Sequence, residues 1–332
     1  MKWNSALPSQ NKGGSSFGPL GTASARVSES RHHKILAAIS NPQTTAGLIS
    51  LAARLCRAGD AVVALRVVPV AQSASLETAQ REAALTRRFR DLMLLAARTG
   101  GEAGARVETV LQVADDVATG IVKVANSRPD TRLLLLGWPS PARHSVVGAD
   151  ICRKVIRESN CDVAVFLNRG LGDVQRVVVP VGGGPHARLG LLLAADLVDG
   201  RTADLVVLHV VGEETTDTMS EQAIVEGLVR DEMRDTAGGL TVVPRVTRSN
   251  SVVKGILDEI DLGCDLLVVG TSEEGLLRLW LSGSIPATIA ARAPCSVLLV
   301  HKCERSSGSW MRRMAQRILG SGSHTKRNAN AR

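Results

Sequence analysis

The chain has 332 residues, 44% of them hydrophobic, which is room for two domains of ordinary size that each bury a core. No run approaches the ~18 apolar residues of a membrane span, and Met1-Lys-Trp-Asn-Ser5 lacks the apolar stretch of a secretory signal, so a cytoplasmic protein is expected. The net charge of +8 sits at the ends, with +7 over residues 302–332 and +3 over 1–33, so the middle carries about −2 and has no electrostatic reason to seek nucleic acid.

Residues 1–32 are rich in Ser, Gly, Pro and Asn without periodicity and are expected to be disordered. Ile35–Ile39 is a short apolar run, as in a strand buried on both faces. Asn41-Pro42 then supplies an N-cap and a proline at the first helical position, and a helix to about Arg57 follows. Strand Ala61–Val70, helix Glu77–Arg98, strand Val107–Val113 and helix Val117–Ala125 come next. Asp115-Asp116 is a helix start, not an acid/base pair. Strand Leu133–Gly137, helix Gly148–Arg157 and strand Val163–Leu167 complete a first set, and Arg169-Gly-Leu-Gly-Asp173 reads as a linker.

The second set repeats the order: strand Val177–Val181, helix Pro185–Val198, strand Leu205–Val211, helix Met219–Thr236 and strand Leu240–Val246. Helix Val252–Ile260, strand Leu266–Gly270, helix Ser284–Arg292 and strand Ser296–Val300 follow. The residues repeat as well as the pattern. Lys34-Ile-Leu-Ala-Ala-Ile-Ser40 answers Arg176-Val-Val-Val-Pro-Val-Gly182, and Leu133-Leu-Leu-Leu-Gly137 answers Leu266-Leu-Val-Val-Gly270. Cys161-Asp-Val-Ala-Val-Phe166 answers Cys295-Ser-Val-Leu-Leu-Val300. A unit of roughly 135–140 residues is the size of a whole domain, so the chain is a tandem duplication. Strands alternating with helices imply parallel sheets covered on both faces. The expected division is a segment 1–32, domains 33–170 and 171–302, and a basic tail 303–332.

In an open parallel sheet, ligands bind beyond the carboxyl ends of the strands. Two segments of the second repeat meet that condition. Gly182-Gly183-Gly184 follows the first strand and allows close approach to the backbone. Gly270-Thr-Ser-Glu-Glu-Gly275 leads to Ser282-Gly283-Ser284-Ile-Pro286, where a Gly-Ser opening a helix suits a phosphate. Glycine after a strand and serine at a helix start are also ordinary structural punctuation. Other constellations fall away. The six cysteines form no C-x-x-C pair and read as reduced thiols. Cys161 and Cys295 read as buried small residues, and His209 as a packed or lining side chain. No metal-ligand spacing and no P-loop is present, and tyrosine is absent, which argues against base stacking. No nucleophile, base and oxyanion donor recur in one place, so no enzyme activity is expected.

Taken together, residues 34–301 resemble two tandem copies of the universal stress protein superfamily. The resemblance implies two five-stranded parallel Rossmann-like sheets of order 3-2-1-4-5, and nucleotide-binding members carry G-x2-G-x9-G-[ST] after the fourth strand. Gly270 fits the first glycine and Gly283-Ser284 the final pair, while Glu273 replaces the middle glycine. Pro180 matches the V-P-V-D pattern, but Gly182 stands where the family's adenosine-contacting Asp would be. The first copy departs further: Ser40 is at the Asp position, Gly137-Trp-Pro-Ser140 lacks the second glycine, and Gly148-Ala149 comes two residues early. It is expected to be a non-binding partner.

The resemblance therefore implies a non-enzymatic cytoplasmic sensor or regulatory module of stress-response type. Weak or vestigial binding of ATP, AMP or another adenine nucleotide is expected in the second copy, with candidate contacts Pro180, Gly182, Gly183, Gly270, Gly283 and Ser284 and no metal. Weakness follows from Glu273 and Glu274, because a carboxylate ~4 Å from a phosphate charge costs roughly 1–4 kcal/mol between water and a surface-like dielectric. The resemblance also implies that fifth strands Val163–Leu167 and Ser296–Val300 meet in an internal pseudo-dimer, with a homodimer as a further option. The alternative is a regulatory module for a membrane transporter, since the degenerate copies are similar to tails of amino-acid permeases. In the tail, Met311, Met314, Ala315 and Ile318 follow helical spacing opposite Arg312, Arg313 and Arg317. That is a short basic amphipathic helix suited to an anionic membrane surface or a partner.

Overall fold

The computed structural model describes residues 32–70, 86–138, 146–233, 240–272 and 285–303. They form ten strands and eight helices in strict alternation within each half. The first half contains β1 (Lys34–Ala38), α1 (Pro42–Leu55), β2 (Ala61–Pro69), α2 (Arg87–Glu102), β3 (Arg106–Ala114), α3 (Val117–Ser127), β4 (Thr131–Gly137), α4 (Val146–Glu158) and β5 (Asp162–Leu167). The second contains β6 (Arg176–Pro180), α5 (Pro185–Val198), β7 (Asp204–Val211), α6 (Thr218–Glu232), β8 (Thr241–Arg248), α7 (Val252–Ile260), β9 (Leu266–Gly270), α8 (Ile285–Arg292) and β10 (Ser296–His301).

Local chemistry accounts for the helix starts. Asn41 has extended backbone and accepts from Gln43 N–H at 3.0 Å, with Pro42 at the first helical position. Asp116 caps α3 and Ser251 caps α7 in the same way. One expected element needs correction. Thr86 is extended and its hydroxyl accepts from Phe89 N–H, so a single helix from Glu77 to Arg98 does not run through it. The side chain offers the orphan donors of a new helix a partner, which a continuous helix would not need. Residues 71–85 lie outside the described residues.

The expectation of two separate five-stranded sheets is also corrected. All strands join one ten-stranded sheet of order β3-β2-β1-β4-β5-β10-β9-β6-β7-β8, and each half keeps the order 3-2-1-4-5 within it. Pairing is parallel throughout except at the centre, where β5 and β10 pair antiparallel with Leu299 opposite Val165. These are the two fifth strands expected to meet. Edge-to-edge pairing satisfies the backbone groups that both would otherwise expose.

Successive residues of a strand face opposite sides, and here both sides are buried. Ile35 and Ala37 of β1, Val177 and Val179 of β6, and Leu298 and Val300 of β10 belong to one core beneath α1, α2, α5 and α6. Leu36, Val178, Val297 and Leu299 belong to the other, beneath α3, α4, α7 and α8. Each core runs through both halves. A fully buried Leu or Val contributes about 1.5–3 kcal/mol, so the apolar runs in the sequence are the requirement of a sheet covered on two faces.

Polar contacts fix the junction. Asp196 on α5 accepts from Arg57 Nε at 2.9 Å and Arg132 Nη1 at 2.7 Å, and Arg132 also donates to Leu55 O. Asp162 accepts from Lys302 Nζ and Cys303 N–H, each at 2.9 Å. In the linker, Asn168 Oδ1 accepts from Gly170 and Leu171 N–H, while Arg169 donates to Ala290 O at 2.8 Å. The basic amphipathic stretch around 310–319 lies outside the described residues. Among the described residues no helix is long and apolar enough to cross a membrane.

Candidate functional site

Because β5 and β10 are antiparallel, the strands of the two halves point in opposite directions, and each half has its own crevice at the carboxyl ends of its strands. The registers make them comparable: Lys34 pairs with Ala61 as Arg176 pairs with Asp204. Ser40 therefore corresponds to Gly182, and Arg66 to His209.

In the second half, β6 ends at the half-buried Pro180 and the chain turns outward through Gly182, Gly183 and Gly184, all exposed. Gly183 and Gly184 have φ of +86° and +83°, a region that favours glycine. Gly182 does not need that freedom, and a Cβ built on it meets nothing within 4 Å. Gly184 then opens α5 without a side-chain cap, followed by Pro185. A helix start whose first residue brings no capping side chain is a position that suits an anion.

Gly270 has a different role from an open lining residue. An added Cβ there would come within 2.5 Å of backbone atoms of His186 and Ala187, because the start of α5 crosses directly over the end of β9. Its glycine is demanded by packing, while its neighbour Thr271 is buried and donates its N–H to Val300 O. Gly283 and Ser284 lie outside the described residues, as do Glu273, Glu274 and the rest of that loop. The structure therefore brings Pro180, Gly182, Gly183 and Gly270 to one end of the sheet.

His209 lines this crevice. Its Nδ1 is 2.7 Å from Val181 O, and since a carbonyl only accepts, Nδ1 carries the proton. Its Nε2 lies 3.3 Å from Glu221 on α6. Nearby, the rings of His186 and His301 stack with centroids 4.8 Å apart, and Lys302 N–H donates to His186 Nδ1.

The first half holds a cavity of about 140 Å³, lined by residues including Ser40, Arg66, Val68, Arg88, Phe89 and Leu92. Arg66 is half-buried on β2 and donates from Nη1 to Ser40 O at 3.0 Å. Burial, and the positive charge of Arg88, hold its pKa below the usual arginine value. Arg66 and Arg88 were not among the residues read from the sequence as site candidates. A charged residue inside an otherwise apolar strand, matched by His209 at the same place in the copy, was the available signal.

The cysteines are free, and those of the core are inert by burial. Cys152 is pushed up to about 12 by burial alone. Cys161 reaches about 12, by burial and then by the charge of Asp162. Among the described residues no group of three His, Cys, Asp or Glu side chains is placed to hold a metal ion.

Comparison with known proteins fits this geometry. No curated protein sequence matches the chain. Among solved structures, a universal stress protein from Archaeoglobus fulgidus DSM 4304 is similar over 82% of this chain and 98% of its own, at 14% identity and a TM-score of 0.59. The cytoplasmic domain of a prokaryotic cation chloride cotransporter is similar over 82% and 97%, at 12% identity and a TM-score of 0.57. An A. fulgidus universal stress protein in complex with dAMP matches 40% of this chain and 97% of its own, at 20% identity and a TM-score of 0.31. The sequence matches the universal stress protein family over residues 31–166 and again over 173–301. With both halves matched and each built on the same strand order, the chain belongs to the universal stress protein family.

Proposed function

We propose that this chain is a non-enzymatic regulatory module whose second half holds an adenine nucleotide weakly. One observation carries the reading: the exposed Gly182–Gly184 turn, with positive φ at its last two residues, leads into α5 through Gly184, a first residue with no side chain to cap it. Backbone donors at such a start favour a phosphate. The weakness has an equally local cause. Gly182 puts no carboxylate where the family's adenosine contact would be, and a Cβ built there meets nothing within 4 Å.

The test is calorimetric titration of the full chain with ATP and AMP in the absence of metal. A dissociation constant in about the millimolar range is expected, near 4 kcal/mol of binding. Gly182→Asp should tighten ATP by about tenfold, since the site has room for the side chain. Micromolar affinity in the unmodified chain overturns the weak-binding reading, and no heat at all with either form overturns nucleotide binding.

A second reading, regulation of a membrane transporter, is supported by the likeness to the cotransporter's cytoplasmic domain, which extends through both halves. In that reading the two-lobed sheet is a docking platform and nucleotide is irrelevant. Cross-linking in membranes from the native host separates the two. Capture of a transporter that persists in Gly183→Ala protein supports the platform, and its absence removes this reading.

A further inference from the structure

The crevice of the first half is not a blank copy of the second. At His209 in the second half, a carboxylate, Glu221, sits 3.3 Å away. Counted from the helix caps Thr86 and Asp217, the place of Glu221 is taken in the first half by Arg90. Arg66 thus has a backbone carbonyl as its partner, and no described carboxylate pairs with it or with Arg88. A guanidinium carries five donors, so one bond to Ser40 O leaves most of the fork unspent. Two like charges at one cavity, one of them half out of water, disfavour each other. A bound anion relieves both terms.

The walls limit what that anion is. Val68, Phe89 and Leu92 give an apolar side, and the volume is about 140 Å³. That is small beside the roughly 300–1,000 Å³ of pockets for drug-sized ligands, which favours a compact ligand. We infer that this crevice binds a small organic oxyanion, a phosphate monoester or a carboxylate on a compact apolar body, with Arg66 and Arg88 on the charged end. Bidentate pairing of planar guanidinium with an oxyanion supplies both strength and orientation. The inference concerns the first half and stands or falls apart from nucleotide binding in the second.

The experiment is titration of the full chain with phenyl phosphate, benzoate and inorganic phosphate, followed by calorimetry and by NMR of the arginine Nε–H signals. Saturable one-to-one binding of phenyl phosphate or benzoate is expected, and whichever binds tighter identifies the oxyanion. Arg66→Gln should weaken it by at least about tenfold, and Arg88→Gln by about threefold. Arg66→Lys keeps the charge without the fork and should fall between, which guards against a misfolded glutamine variant. Arg98→Gln, on the exposed face of α2, should change nothing. Gly182→Asp, in the other crevice, should also leave it unchanged. Three outcomes overturn the inference: no saturable binding of either organic anion, undiminished binding in folded Arg66→Gln protein, or inorganic phosphate binding as tightly as phenyl phosphate.

Discussion

Arg66 and His209 hold the same place in the two halves, each the sixth residue of its strand and each bonded to a carbonyl where the first strand of its half ends. Duplication preserved the position, with the accepting carbonyl shifted by one residue (Ser40 in one half, Val181, the counterpart of Ile39, in the other), while the chemistry diverged. His209 faces Glu221, and Arg66 shares its cavity with Arg88. The divergence is what gives one fold two dissimilar crevices.

The glycines of the second crevice should separate by mechanism. Gly270→Ala forces a methyl to within 2.5 Å of the α5 backbone and is expected to cost about 3 kcal/mol. Gly183→Ala, at φ +86°, should cost about 1 kcal/mol from backbone strain. Gly182→Ala should be near neutral, since its Cβ meets nothing. Urea midpoints of the three variants rank them, and equal losses would contradict the distinction.

Asp196 ties the halves together away from the central strands. Removing it in Asp196→Ala leaves Arg132, only 18% exposed, without its 2.7 Å partner. A loss of about 2 kcal/mol is expected, below that of a fully buried pair because water still reaches the site. Asp196→Asn, which keeps an acceptor, should lose less in the same denaturation assay.

Both cores cross the junction, so the chain should unfold in one transition. Leu299→Asp, aimed at a side chain that is fully buried beside β5, is expected to lower the midpoint for both halves together. Two resolved calorimetric transitions would show that the halves are independent.

Asp116 is held near about 2, first by the Thr119 hydroxyl, then by the Thr119 N–H, with Lys154 adding to both. The native state favours the charged form, so this stabilisation is present above the ordinary 3.8 and is lost as pH falls through about 2. Asp116→Ala should cost about 1 kcal/mol at neutral pH, and the difference from wild type should vanish in acid.

For the thiols the sign is reversed. Cys152 and Cys161 stay protonated in the native state up to about 12, while the unfolded chain releases protons above the ordinary 9.0. Their contribution is complete below 9.0 and is lost as pH rises through about 12. Iodoacetamide labelling at about pH 8 should spare both until denaturant is added, because the thiolate is the nucleophile. Rapid native labelling of Cys152 would refute its burial.

Much of this was written in local sequence. Asn41-Pro42, Asp116 and Ser251 mark helix starts because a side-chain oxygen and a fixed φ act within one turn. The apolar runs at Ile35, Leu133, Val177 and Leu266 announce strands covered on both faces. Gly270 was legible as a special position, but its cause, the helix start lying across it, was not. Thr86 shows the opposite failure: apolar periodicity ran smoothly through a residue whose hydroxyl begins a new helix.

The sequence alone determined the duplication and the alternation of strand and helix, because each depends on neighbours along the chain. Only the tertiary structure decided that the two sheets fuse into one and that Arg66 and Arg88 meet at a single cavity. The physical reason is the same in both cases. Strand edges and cavity walls are completed by residues far apart in the chain, and their pairing is fixed by register and crossover, which local periodicity does not encode.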